Sequence, residues 1–267
     1  MSPGLLTAYA VGGGIPPATY EALRVYEDGV ARAVVGNAWP FGAPQDEAGS
    51  YEHRLAPEEA AALARAVSDP ALAGAPGLTG SLSADAGRCE LLLGDGREVV
   101  WSTTARPPEP LAGLVERLRA VLAATRRHPV GALALRLEPP AEAAAGEPLT
   151  LGLVLRNPGR EPVALEPPAE PGSFRLRAAP VEGEVDGPPD LEALVAAGAL
   201  ALAPGAVPAA LAPGEQHTIA APATLATPGR WRLDALVRLT ADLPYEGETV
   251  RLECVMLAGP AVVTVGG

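Results

Sequence analysis

From residue 129 onward the chain alternates, and that alternation constrains the fold more than any other feature. Leu133, Leu135 and Leu137 recur at every second position, and so do Leu149, Leu151, Leu153 and Leu155. Trp231, Leu233, Ala235, Val237 and Leu239 repeat the pattern with Arg230, Arg232, Asp234 and Arg238 in register between them, and Val250, Leu252, Cys254 and Met256 repeat it once more. Successive strand side chains point to opposite faces of a sheet, so a period of two marks a strand with one face in a core. Pro162–Leu165, Ser173–Ala178 and Gln216–Ala221 are shorter strands of the same kind. One segment differs: PDLEALVAAGALAL from Pro189 reads as a short helix with Asp190 at its N-cap.

The first half has a mixed rhythm. Leu5–Val11 reads as a strand, and residues 21–27 and 30–36 flank Asp28-Gly29, a strong hairpin signal. Residues 37–50 (NAWPFGAPQDEAGS) are loop by composition, and Tyr51–Leu55 is a further strand. In LAPEEAAALARAVSD, Pro57 suits a first helical turn and Glu58 and Glu59 complement the positive end of the dipole. Ala60, Leu63, Ala64 and Val67 form its apolar face, and Asp69-Pro70 stops it. Residues 88–93 and 97–103 form a second hairpin across Gly94-Asp95-Gly96. The second helix presents Leu111, Leu114, Val115, Leu118, Val121 and Leu122 at the helical period, carries Arg119, Arg126 and Arg127 toward its negative end, and closes at His128-Pro129.

The order strands, helix, hairpin, helix predicts an α+β domain over residues 1–128, an antiparallel sheet with two helices on one face. About seven strands with turns between them predict an all-β immunoglobulin-like sandwich over residues 130–267. No long linker separates the two.

Charge and cysteine usage exclude several function classes. The formal net charge is −12, from 20 basic and 32 acidic residues, so the chain lacks the basic footprint that nucleic-acid binding requires. No apolar stretch is long enough to span a membrane, and the opening MSPGLLTAYAVGGG has no basic n-region. The two cysteines, Cys89 and Cys254, fall one in each half and read as reduced, partly buried thiols of a cytoplasmic protein.

Reactive constellations are absent from the motif pattern. Gly12-Gly13-Gly14 follows a strand, but no Gly-Lys-Ser/Thr follows and Pro16-Pro17 occupies the helix start that a phosphate loop needs, so it reads as a flexible strand connection. His53, His128 and His217 each stand alone in sequence, whereas a catalytic zinc needs about three convergent ligands. They read as surface or capping histidines. There is no Gly-x-Ser-x-Gly, and neither cysteine opens a helix. The expectation is therefore no catalytic residue, no metal and no cofactor. Trp39 and Phe41, two of the few large aromatics, lie in the 37–50 loop and are the candidate partner-binding residues. The competing expectation is that both tuck into the edge of the domain core. Trp101 and Trp231 alternate with apolar neighbours and are expected in the cores.

Residues 5–127 resemble the emfourin family, small bacterial inhibitors of thermolysin-type metalloproteases. The resemblance rests on the glycine cluster Val11–Gly14, the hairpin at Asp28-Gly29, the Leu-x-Pro-Glu-Glu helix start at Leu55–Glu59, the strand pair around Asp95-Gly96, and the helix from Pro108 to Leu118. The second half is similar to bacterial immunoglobulin-like modules, including intracellular inhibitors of subtilisin-type proteases. The matching segments are Ala145–Leu149, the Leu-x-Leu-x-Leu-x-Asn run at Leu151–Asn157, Leu211–Glu215, and Pro-Gly-x-Trp-x-Leu at 228–233. These resemblances imply a non-catalytic protein-binding protein, an intracellular inhibitor of a metalloprotease or serine protease. A scaffold or adaptor with no link to proteases, and an enzyme whose active site is assembled from distant residues, are the alternatives.

Overall fold

A computed structural model of the chain describes residues 4–13, 19–37, 46–75, 77–79, 87–140, 143–166, 173–184, 191–200, 202 and 205–267. The chain divides into two compact units, Met1–Ala43 with Gly49–Val130, and Pro44–Ala48 with Gly131–Gly267. Both are rich in antiparallel strands. The first contains β1 (Leu5–Gly13), β2 (Thr19–Tyr26), β3 (Val30–Asn37), β4 (Glu47–Arg54), α1 (Pro57–Val67), β5 (Leu78–Thr79), β6 (Arg88–Leu93), β7 (Glu98–Ser102) and α2 (Ala112–Thr125). The second contains β8 (Pro129–Glu138), β9 (Ala143–Ala144), β10 (Pro148–Arg156), β11 (Val163–Glu166), β12 (Phe174–Pro180), α3 (Leu191–Ala196), β13 (Ala210–Leu211), β14 (Gln216–Thr224), β15 (Gly229–Tyr245) and β16 (Glu248–Gly266).

In the first unit the strands lie in the order β4-β3-β2-β1-β6-β7-β5, antiparallel except that β5 runs parallel to β7. Both hairpins form where the turn residues predict them. Gly29 takes φ 81°, which a residue with a Cβ rarely adopts, and Asp28 accepts a bond from Val30 N. One face of the sheet is buried in rows. Ala33, Leu23, Tyr9, Leu91 and Val99 make one row, and Val35, Glu21, Val11, Cys89 and Trp101 make the next. The helices bury Leu63, Val67, Leu111, Leu114, Val115, Leu118 and Leu122, close to the faces read from the period; Val121 is only half-buried. Helix α1 ends at Ser68, and Asp69 then caps a separate 3-10 turn over Pro70–Gly74 by accepting from Ala71 N. Gly12 and Gly13 are strand residues paired with Tyr20 and Thr19, so this part of the glycine cluster continues β1 and does not form a connection.

In the second unit, β14-β10-β8 forms one antiparallel layer, and the other carries β13-β11-β15-β16-β9 with β12 paired to β15. Leucines of β8 and β10 meet Leu233, Val237, Leu239, Met256 and Val263 of the other layer in one core. The strands of the second layer outrun their sequence signals, and two features explain how. Between Leu233 and Ala235, β15 advances two residues while β16 retreats from Ala261 to Ala258, so a bulge places Gly259 and Pro260 opposite Asp234. The extra residue shifts the phase of β16, and Cys254, Met256 and Ala258 face the same core as Val263 and Val265. On the opposite face, Leu194 of α3 covers Leu236, Val255 and Leu257. That face is therefore not the purely solvated one suggested by its arginines. Asp234 is fully buried there, accepting from Arg232 at 2.8 Å with Arg177 at 3.9 Å. Trp231, expected in the core, is half-buried at its rim and donates through Nε1 to Thr227 O at 3.0 Å. The predicted cap Asp190 lies outside the described residues.

Asn157 ties this unit together. Its Oδ1 accepts from Gly159 N at 2.9 Å and Ala132 N at 3.4 Å, and its Nδ2 donates to Glu161 O at 2.8 Å and Leu211 O at 3.1 Å. Its backbone also pairs with Glu215 O and Gly214 N. One buried amide thus satisfies backbone groups of β8, β13 and the turn after β10.

Asn157→Ala leaves those groups without partners in the interior and is expected to cost about 3 kcal/mol in urea unfolding. A loss below roughly 1 kcal/mol would show that the network does not hold the layers together. At Gly259, φ is 122° and an added Cβ would lie 2.7 Å from Leu233 O and 2.8 Å from Asp234 Oδ1. Gly259→Ala is accordingly expected to lower stability by about 2 kcal/mol or more, and an unchanged unfolding midpoint would contradict the bulge geometry.

Candidate functional site

Three strands of the first unit end, and three begin, at one end of its sheet. Gly13 pairs with Thr19, Tyr20 with Asn37, Gly12 with Arg88, and Arg88 with Ser102. Thr79 runs alongside Trp101 in the same direction. The chain therefore leaves β1, β3 and β5 and enters β2, β4 and β6 at this end. The segment joining β3 to β4 carries Trp39 and Phe41, the candidate partner-binding residues, and both lie outside the described residues. Connections carried on a rigid sheet are where binding residues concentrate.

Beneath this end lies the row containing Glu21 and Cys89, and here the structure shows something the sequence pattern does not. Arg126 reaches Glu21 with Nη1 2.9 Å from Oε1, and the two side chains are 5% and 3% exposed. Arg119, seven residues earlier on α2, donates through Nε to the Tyr9 hydroxyl at 3.4 Å. The Tyr9 ring stacks on Trp101 with centroids 6.3 Å apart. Arg126, read as lying toward the negative end of α2, does cap that end, and it does so as a buried partner of β2. The spacing of Arg119 and Arg126, two helical turns apart on an apolar face, was the available signal.

Burial dominates the electrostatics of this cluster. Removal from water pushes the Glu21 carboxyl up to about 7, against the opposing pull of Arg126 and Arg119. Desolvation lifts the Cys89 thiol to about 11 despite Arg119 and Tyr9, and lifts the Tyr9 phenol to about 12 with the charge of Cys89 adding to it. Cys254 is pushed to about 12, again mainly by burial. Thiols held this far above neutrality are poor nucleophiles at pH 7.

The histidines need one correction. His53 and His128 do not stand alone: their rings stack at 4.3 Å, 5° from parallel. They are brought together because Glu52 N bonds to His128 O at 3.0 Å, fixing the end of α2 beside β4. Parallel stacked rings cannot aim two in-plane lone pairs at one ion, and among the described residues no group of three or more His, Cys, Asp or Glu is placed to hold a metal. His217 bonds through Nε2 to Ala206 O at 2.8 Å. Both cysteines are buried and free. Among the described residues no helix is long and apolar enough to cross a membrane.

Comparison with known protein families gives no match, and comparison with curated proteins gives none. Among solved structures, native Escherichia coli alpha-2-macroglobulin, from domain MG7 to its C-terminus, is 22% identical over 49% of this chain at a TM-score of 0.24. Escherichia coli alpha-2-macroglobulin activated by porcine elastase is 14% identical over 98% of the chain at a TM-score of 0.22. The chain spans only 17% and 22% of those two proteins, and likenesses this slight carry no argument about fold or activity.

Glu21 also gives a pH test. Its folded value lies above the ordinary 4.5, so the folded state holds this proton more tightly than the unfolded chain. The resulting stabilisation is complete below about pH 4.5 and is lost as pH rises through about 7. Glu21→Gln should flatten that part of the stability profile between these limits. Unfolding curves at several pH values check it, and an identical slope in wild type and variant would refute the assignment.

Proposed function

We propose that this protein acts by binding another protein, through the connecting segments at one end of the first unit's sheet, and performs no chemistry of its own. The observation that carries this reading is that β1, β3 and β5 end, and β2, β4 and β6 begin, at the same end of the sheet, with Trp39 and Phe41 in the sequence between β3 and β4. The state of the interior groups supports it: Glu21, Arg126, Asn157 and Asp234 are engaged with neighbours in their own unit, and the thiols are held protonated. Large aromatics carried on a rigid base suit an interface anchor, and a patch of about 800 Å² per partner is enough for specific binding.

The finer reading is an intracellular protease inhibitor with an emfourin-like first domain and an immunoglobulin-like second one. Its support is the sequence resemblance, together with two antiparallel layers sharing one core in the second unit. The cytoplasmic part of the proposal draws on the two free, buried thiols.

Inhibition assays against a thermolysin-like and a subtilisin-like protease test the finer reading; no effect on either at micromolar concentration would remove it. For the broader reading, Trp39→Ala should weaken capture of the partner with little change in melting temperature. A large melting shift would instead make Trp39 a core residue, since truncating a buried Trp costs ~3–5 kcal/mol.

A further inference from the structure

Strand β14 ends its layer. Gln216–Thr224 pairs along its whole length with Arg156–Pro148 of β10, and among the described residues no strand pairs with its other side. Of the other edge strands, β5, β9 and β13 have only two residues each, and β12, of seven, is bridged by Ala199 at Arg175 and bonded by Leu200 N at Phe174 O. A long open edge offers a row of backbone donors and acceptors, and proteins usually guard it with charges, prolines or bulges. Here the guard is slight. Pro222 removes one donor, but the strand QHTIAAPAT contains no Arg, Asp or Glu and has no bulge against β10. Its outward side chains, Gln216, Thr218, Ala220, Pro222 and Thr224, are all exposed.

The charge of the chain says which occupant fits. At a net charge of −12, two copies repel through most of their surfaces. Charges flank the edge in sequence, Glu215 before it and Arg156 opposite its first residue, but the strand itself is neutral. A twofold axis lays β14 of one copy antiparallel to β14 of the other, so neutral Thr and Ala residues meet their own kind and no like charges are juxtaposed. We propose that β14 is a self-association edge, at which two copies join through Gln216–Ala221 into one continuous sheet. The interface is small, so the dimer is weak and reversible. This proposal is independent of the partner-binding reading of the first unit.

Because the contact is neutral and the copies are like-charged, salt should strengthen the dimer; an interface held by ion pairs would weaken in salt. Sedimentation equilibrium of the full chain at low and high ionic strength reads this directly. The expected result is a concentration-dependent dimer that tightens with salt. Thr218→Lys should weaken it by at least about tenfold, as edge lysines block strand pairing, and Ala220→Lys serves if that variant misfolds by circular dichroism. Thr150→Lys, exposed on the same layer but one strand inward, should leave association within about twofold of wild type. Under oxidation, a single cysteine at one of positions 216, 218 or 220 should form a disulfide-linked dimer across the axis. A monomer at every concentration and salt, a dimer indifferent to Thr218→Lys, or equal weakening by Thr150→Lys would each overturn the proposal.

Discussion

A strand can offer only every second residue to a core, and this parity governs both units. In the second unit it becomes demanding because β15 and β16 are long and face the same core throughout. The apolar positions of β15 keep one parity from Leu233 to Leu243, whereas those of β16 are even-numbered up to Ala258 and odd-numbered at Val263 and Val265. A regular ladder would bury one set and expose the other. The bulge at Gly259-Pro260 absorbs the extra residue, and its tightness requires a glycine with Leu233 O close by. The same spot buries Asp234, whose charge is met by Arg232 on its own strand.

The best-connected polar groups in the interiors find their partners within their own unit. Asn157 supplies the bonds that converging loop backbones would otherwise seek from water, and Glu21 and Arg126 join strand to helix. At the margins, three strands of the first unit end at one end of its sheet, and the uncharged strand β14 ends a layer of the second.

Much of the fold was legible because its punctuation is local. Asp28-Gly29 and Gly94-Asp95-Gly96 announce their hairpins, Pro57 with Glu58 and Glu59 starts α1, and alternating leucines trace β8 and β10. What escaped the reading depends on pairs far apart in the chain. Glu21 and Arg126 are separated by 105 positions, and nothing near either announces the other. His53 and His128 each look solitary until β4 and α2 meet. The outward side of β15 looks solvated because its cover, Leu194, comes from an insertion read on its own.

The sequence alone determined the hairpin turns, α1 and α2, and the alternating centres of β8, β10, β15 and β16, because hydrophobic period and turn chemistry act over a few residues; it did not determine the strand ends, since β4 begins at Glu47 inside a stretch that reads as loop. It also determined the acidic balance and the absence of recognisable nucleophile or metal-binding motifs. Tertiary structure alone decided which polar residues become interior partners, where β16 changes phase, and which of the described strands ends a layer. Those outcomes depend on which segments meet, and segments meet through the burial of whole faces, a property that no short stretch of sequence contains.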